Sequence, residues 1–167
     1  MTDATDFDDL LAANHAYSEH FDLAGFDGVA HAGVAMVTCM DSRIDPLGMI
    51  GLQPGDAKIL RNPGGRVTDT ALVALVVGVN LLGVDRILVV QHTRCAMASS
   101  TEQELKQELT RTSGEDASWM TLKAIPDQEA TLREDVIKVR THPLIGDKVR
   151  VGGFMYDVDT GLLSSVS

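Results

Sequence analysis

Three short apolar runs, each ending abruptly in a polar cluster, constrain this chain more than any other feature. Val34-Ala35-Met36-Val37-Thr38 stops at Cys39-Met40-Asp41-Ser42-Arg43, and Ala57 to Leu60 stops at Arg61-Asn62-Pro63-Gly64-Gly65. Arg86-Ile87-Leu88-Val89-Val90-Gln91 stops at His92-Thr93-Arg94-Cys95. Runs this short and this evenly apolar read as strands buried on both faces, as in parallel sheets. Between them lie a helical turn reaching Ile50, the Gln53-Pro54-Gly55-Asp56 turn, and a helical segment from Val67 to Leu82. That segment is apolar almost all round, which suggests a subunit interface in a domain this small.

The alternation of strand and helix predicts an α/β fold: a three-layer domain with a mostly parallel central β-sheet, a C-terminal edge strand and flanking helices. Asp6 to Phe21 has the spacing of an amphipathic helix. A further helix is expected from Ser100 to Arg111, opening on the capping-box pattern Ser100-Thr101-Glu102-Gln103, and another from Ala130 to Arg140, closed by His142-Pro143. Glu115 to Gln128 has no clear period, and Trp119 is expected to anchor a loop or short helix there. Val149 to Val158 reads as a strand, Asp159-Thr160-Gly161 as a hairpin turn and Leu162 to Val166 as the edge strand. With 167 residues and no repeat or linker, 1–167 is read as a single domain.

Fourteen basic against twenty-four acidic residues give a formal net charge of −10, the wrong sign for a nucleic-acid partner. The longest apolar run, Ala71 to Val84, is interrupted by Asn80 and is too short to span a membrane. The acidic start lacks the pattern of a secretory signal, so a soluble, cytoplasmic protein is expected. Two cysteines cannot make a disulfide scaffold.

Open α/β sheets bind ligands beyond the carboxyl ends of their strands, at a topological switch point, and all three polar clusters lie at such ends. If the strands are neighbours, Cys39, His92 and Cys95 offer two thiolates and one imidazole, a donor set suited to zinc with a fourth position for water or a carboxylate. A His-x-x-Cys pair alone is weak, because free cysteine is often simply buried. Cys39 at a second strand end, followed by Asp41 and Arg43, turns the balance toward a metal site. A redox pair ranks lower, since Cys39 and Cys95 form no Cys-x-x-Cys motif. Taken by themselves, Asp41 and Arg43 read as an ordinary ion pair. Phosphate-binding loops, dinucleotide fingerprints and nucleophile elbows are absent from the sequence.

Cys39-x-Asp41-x-Arg43, Arg61-Asn62-x-Gly64-Gly65 and His92-Thr93-x-Cys95, in this order and spacing, resemble the signature of the β-class carbonic anhydrases. The similarity extends through Leu81-Leu82-Gly83-Val84 and His142-Pro143-Leu144-Ile145 to the closing segment Gly153 to Gly161. The resemblance implies reversible hydration of carbon dioxide to bicarbonate by a zinc-bound hydroxide. Cys39, His92 and Cys95 are then the zinc ligands, Asp41 and Arg43 the catalytic dyad, and Asn62, Gly64, Gly65 and Thr93 the lining of the pocket. In a closed state Asp41 takes the fourth zinc position. The resemblance also implies a homo-oligomer, a dimer or dimer of dimers, with residues 1–30 as an N-terminal helical arm packed on the partner subunit.

Three positions depart from the family pattern: Pro63 within the usual Asn-Ala-Gly-Gly, Arg94 where an acid is common, and Ala96 where glycine usually follows the cysteine. Two other functions remain open at this level: a zinc hydrolase of carbonyl sulfide or carbon disulfide on the same fold, and a non-catalytic zinc-binding domain.

Overall fold

The computed structural model describes residues 7–166, so Asp6, the expected start of the first helix, lies outside the described residues. Five strands, β1 (Val34–Cys39), β2 (Ala57–Asn62), β3 (Arg86–His92), β4 (Arg150–Tyr156) and β5 (Leu163–Ser165), form one sheet in the order β2-β1-β3-β4-β5. The first four run parallel, and β5 closes the edge antiparallel to β4. Chain order reverses at β1, whose two neighbours are β2 and β3, and this places the switch point between the ends of β1 and β3.

Four helices accompany the sheet: α1 (Asp8–Ser18), α2 (Asp69–Leu81), α3 (Glu102–Ser113) and α4 (Gln128–Arg140). Alternation along the strands sends Ala35 and Val37 of β1, Ile87 and Val89 of β3 and Val151 of β4 to one face. There they meet Ala71 and Leu75 of α2 and Leu132, Val136 and Val139 of α4 in the main core. Leu75 and Leu132 are almost wholly buried, and at such sites truncation to alanine costs about 2–5 kcal/mol. Asn80, which interrupts the apolar run of α2, bonds through its amide group to Val76 O, Leu144 O and Lys148 Nζ, so its polar atoms are satisfied.

Several boundaries differ from the expected ones for identifiable reasons. The capping box of α3 uses Thr101 and Glu104, one residue later than expected. Ser100-x-x-Gln103 and Thr101-x-x-Glu104 both satisfy the pattern; the Glu104 carboxylate, accepting from the Thr101 N–H at 2.8 Å, is the stronger reciprocal partner. Helix α4 begins two residues earlier than expected because the Asp127 carboxylate caps it, accepting from the Ala130 N–H at 3.0 Å. Trp119 anchors nothing: its side chain is 78% exposed. Helices α1 and α3 bury no residue at all.

The exit from β2 passes tightly against the backbone of β1 and β3. Gly65 has φ 63°, and a Cβ there would stand 2.6 Å from Val90 O and 2.9 Å from Cys39 N. No side chain fits between this turn and the ends of β1 and β3. Gly65→Ala is expected to destabilise the fold by about 2–5 kcal/mol, the sum of left-handed backbone strain and overpacking, measured by urea denaturation. Gly51→Ala, also left-handed but with open space around it, provides the comparison and is expected to lose only the backbone part.

Candidate active site

Cys39 is the last residue of β1 and His92 the last of β3, so parallel pairing delivers both to the same edge of the sheet. Cys95 follows three residues after His92 and is brought back toward the sheet by Arg94, whose φ of 54° turns the chain. One donor atom from each of Cys39, His92 and Cys95 lies within 4.8 Å of the others, and all three residues are buried. The imidazole is oriented by the carbonyl of the next residue: Nδ1 lies 2.9 Å from Thr93 O, which fixes Nε2 as the free nitrogen. His92 Nε2 is buried without a hydrogen-bond partner. An orphaned imidazole nitrogen facing two thiols is costly unless a cation completes the group, and the soft two-sulfur, one-nitrogen set suits zinc.

The thiols are electrostatically unequal. A hydrogen bond from the Cys95 thiol, followed by contributions from His92 and the backbone N–H groups of Asp41 and Gly64, outweighs burial and lowers the Cys39 pKa. The same hydrogen bond and burial push Cys95 the other way. The Gly64 N–H stands 3.3 Å from Cys39 Sγ.

Asp41 lies at the rim. Its Oδ1 accepts from the Arg43 backbone N–H at 3.0 Å and Nε at 2.9 Å, and its Oδ2 from Arg43 Nη2 at 2.7 Å. This two-pronged grip and the backbone N–H hold the Asp41 carboxyl well below the usual carboxylate range. Asp41 Oδ2 is also 3.8 Å from His92 Nε2, so the carboxylate borders the donor cluster while remaining bound to Arg43. Arg43 is itself steadied by Arg94 O at 3.3 Å.

A cavity of about 430 Å³ opens over these groups, lined by Cys39, Met40, Asp41, Ser42, Arg43, Pro63, His92, Cys95, Ala96 and Met97. Of the residues expected to line the pocket, Asn62, Gly64, Gly65 and Thr93 stand behind this wall. Asn62 brackets the turn, its Oδ1 accepting from the Arg66 N–H and its Nδ2 donating to Arg66 O. Thr93 Oγ1 accepts from the Val158 N–H, tying the end of β3 to the exit of β4.

Pro63 and Ala96, two of the departures, are wall residues. Ala96 opens a turn of 3₁₀ helix at a φ that is not positive, so the position makes no demand for glycine. Sequence reasoning gave no role to Arg61, whose guanidinium donates to Cys39 O at 3.0 Å and Asp41 O at 2.6 Å, pinning the backbone that carries both side chains. Its place in the Arg61-Asn62 motif was the available signal.

A parallel α/β sheet that gathers two thiols and an imidazole at its switch point, beside an arginine-held carboxylate, has the donor arrangement of the Cys-His-Cys class of metal centres. The sequence profile of carbonic anhydrases matches residues 34–163, which contain every residue of the site. Beta-carbonic anhydrase 1 of Mycobacterium tuberculosis is 31% identical over 164 residues, covering 96% of this chain and 97% of its own. The crystal structure of a carbonic anhydrase from Streptococcus mutans superposes with a TM-score of 0.87 at 38% identity, covering 96% of this chain and 97% of that one. A carbon disulfide hydrolase from an Acidianus strain is 31% identical over 148 residues, 75% of this chain and 72% of its own. The chain belongs to the carbonic anhydrase family.

The inequality of the thiols has a direct test. After metal removal by chelation under reducing conditions, the protein at neutral pH is expected to hold one thiolate per chain. Because the Cys39 pKa is lowered, that thiolate is lost only as the pH falls well below the ordinary thiol range. Thiolate absorbance in the ultraviolet, compared between this protein and Cys39→Ser, measures it; two protonated thiols at neutral pH would contradict the assignment.

Proposed function

We propose that this protein catalyses the reversible hydration of carbon dioxide to bicarbonate, with Cys39, His92 and Cys95 holding zinc and Asp41 and Arg43 acting on the attacking water. The observation that carries the reading is the convergence of the three buried donors beside an arginine-held carboxylate at the mouth of one cavity. Zinc, when bound, supplies Lewis acidity that brings the ionisation of water into the neutral range. Two thiolates cancel the formal charge of the dication, so a neighbouring proton acceptor is valuable in this site.

Asp41 fills that role. Held ionised by Arg43, its carboxylate accepts a hydrogen bond from the attacking water and orients its lone pair toward the substrate. Arg43 keeps the carboxylate at the rim, 3.8 Å from His92 Nε2; were that grip released, Asp41 would be placed to join Cys39, His92 and Cys95 in holding the metal, and the site would close to water. The side chains of Met40, Pro63, Ala96 and Met97 provide the apolar wall against which a linear, weakly polar molecule lies. The Asp41–Arg43 pair in this position argues for catalysis over a purely structural zinc site, which needs neither residue.

A second reading, hydrolysis of carbonyl sulfide or carbon disulfide, is supported by the two polarisable thioethers in that wall and by similarity to a carbon disulfide hydrolase. Stopped-flow carbon dioxide hydration by protein of verified zinc content, from about pH 7 to about pH 9, separates the two, with sulfide release measured on the same preparation. Hydration that rises with pH is expected. Asp41→Asn is expected to retain zinc and lose about 100-fold in kcat, the lower end of general acid–base contributions; unchanged turnover and pH profile would remove Asp41 from the mechanism.

The reading includes a homodimeric or higher assembly. Helix α1 buries nothing, and Phe7, Leu10, Leu11, Tyr17 and Phe21 around it are exposed, as are Val73 and Leu81 on α2. Apolar groups on this scale need cover, and a partner subunit taking the N-terminal arm of residues 1–30 provides it. Among the described residues no helix is long and apolar enough to cross a membrane. The reading places the protein in the cytoplasm, where thiols stay reduced and Cys39 and Cys95 remain available to a metal. The double variant Leu10→Lys, Leu11→Lys is expected to shift sedimentation toward the monomer; an unchanged oligomer would place the interface elsewhere.

A further inference from the structure

Helix α4 carries a buried carboxylate that the mechanism does not use. Asp135 is 3% exposed on an otherwise charged stretch, Arg133-Glu134-Asp135. Its Oδ2 accepts from Arg66 Nε at 2.7 Å and from the Val67 N–H at 3.0 Å, and its Oδ1 from Arg66 Nη2 at 3.3 Å. Burying an ion pair gives little net stability, so retention of this one invites a positional explanation.

The bonds lead to the site. Arg66 is the residue on which the Asn62 side chain closes, with Asn62 Oδ1 2.8 Å from the Arg66 N–H and Asn62 Nδ2 2.7 Å from Arg66 O. Residues 63–65 lie inside that bracket, with Gly64 at φ 78° and Gly65 pressed onto Val90 and Cys39. Pro63 has no N–H, so the first donor of the turn is Gly64, and its N–H meets Cys39 Sγ at 3.3 Å. A backbone N–H aimed at a ligating sulfur withdraws charge from it and offsets part of the charge that two thiolates donate.

We propose that Asp135 is a positioning residue for the Cys39 thiolate, acting through Arg66 and the Asn62-bracketed turn to hold the Gly64 N–H on Cys39 Sγ. The inference rests on the metal assignment made above and extends it to a strut anchored on α4. Without the strut, Gly64 retreats and the sulfur becomes a stronger electron donor.

Two readouts test this with metals that report on sulfur. In cobalt-substituted protein, Asp135→Asn is expected to move the thiolate-to-cobalt charge-transfer band to lower energy, since a more electron-rich sulfur gives up an electron more easily. Asn62→Ala, which opens the bracket without touching the buried pair, is expected to move it the same way. Asp69→Asn, which breaks the exposed ion pair to Lys138 on the same side of the molecule, is expected to leave it in place. In protein loaded with spin-active cadmium, the Gly64 amide proton is expected to show scalar coupling to the metal through Cys39 Sγ, and that coupling weakens in Asn62→Ala.

Absence of the coupling in the unmodified protein overturns the proposal, as does a charge-transfer band in Asp135→Asn that coincides with the parent's. Should Asp135→Asn not fold, the band and coupling of Asn62→Ala decide on the same terms. Absence of any thiolate-to-cobalt band in the unmodified protein would instead overturn the metal assignment itself, and with it this inference.

Discussion

The contact of the Gly65 backbone with the ends of β1 and β3 sets the geometry on which the site depends. With 2.6 Å between a would-be Cβ and Val90 O, the turn after β2 rests directly on the two strands that deliver Cys39 and His92. A side chain there would lift the turn away from the sheet. The Gly64 N–H would then leave Cys39 Sγ, and the Asn62 bracket would have nothing to brace against. The edge that carries the donor cluster is thus assembled from three strand ends locked to one another by main-chain contacts, and side chains are hung on that frame.

A chain with a net charge of −10 concentrates arginine around this edge. Arg61 is spent on the carbonyl groups of Cys39 and Asp41, Arg43 on the Asp41 carboxylate and Arg94 O, Arg66 on Asp135, and Arg94 on Asp159. Arg61, Arg43 and Arg66 each use a planar fork with two donors, which lysine cannot supply, whereas Arg94 reaches Asp159 through Nη2 alone. The positive charge keeps Asp41 ionised, and the forks fix backbone atoms that would otherwise lie at the loose ends of strands. The Arg94 pair with Asp159 is exposed and weak in isolation. Its position, on a residue held at φ 54° between His92 and Cys95, makes it a brace for a strained turn.

The strands and the donor set were legible in the sequence because the same physics produces both signals. A strand buried on both faces must be apolar until it leaves the sheet, so the break in hydropathy marks where reactive side chains emerge. Cys39 and His92 were visible for that reason, and the resemblance to β-class carbonic anhydrases joined them to Asp41 and Arg43. Asp135 was invisible: an acid between Glu134 and the solvated pattern of a charged helix reads as surface, and only the tertiary position of Arg66 explains its burial. Asn62 and Thr93 were legible as neighbours of the site, whereas their actual partners, Arg66 and Val158, depend on backbone turns that local composition does not specify. Trp119 shows the opposite failure, since a large aromatic residue in an aperiodic loop suggests burial and this one faces outward.

The departures from the family pattern gain meaning from where they fall. Ala96 and Pro63 change the wall of the cavity, and neither displaces the three donors: Ala96 sits where the backbone is already compatible with a side chain, and the N–H that meets Cys39 Sγ comes from Gly64. Arg94 provides a carbonyl to Arg43 whatever its side chain, so its substitution for an acid alters the rim and leaves the dyad's hydrogen bond intact. The changes therefore act on what the cavity admits and how its rim is charged, while the atoms that would bind metal and direct water keep their places. Divergence within this architecture is cheapest at such positions, because a wall residue answers to shape alone, whereas a ligand answers to shape, charge and the strand ends that hold it.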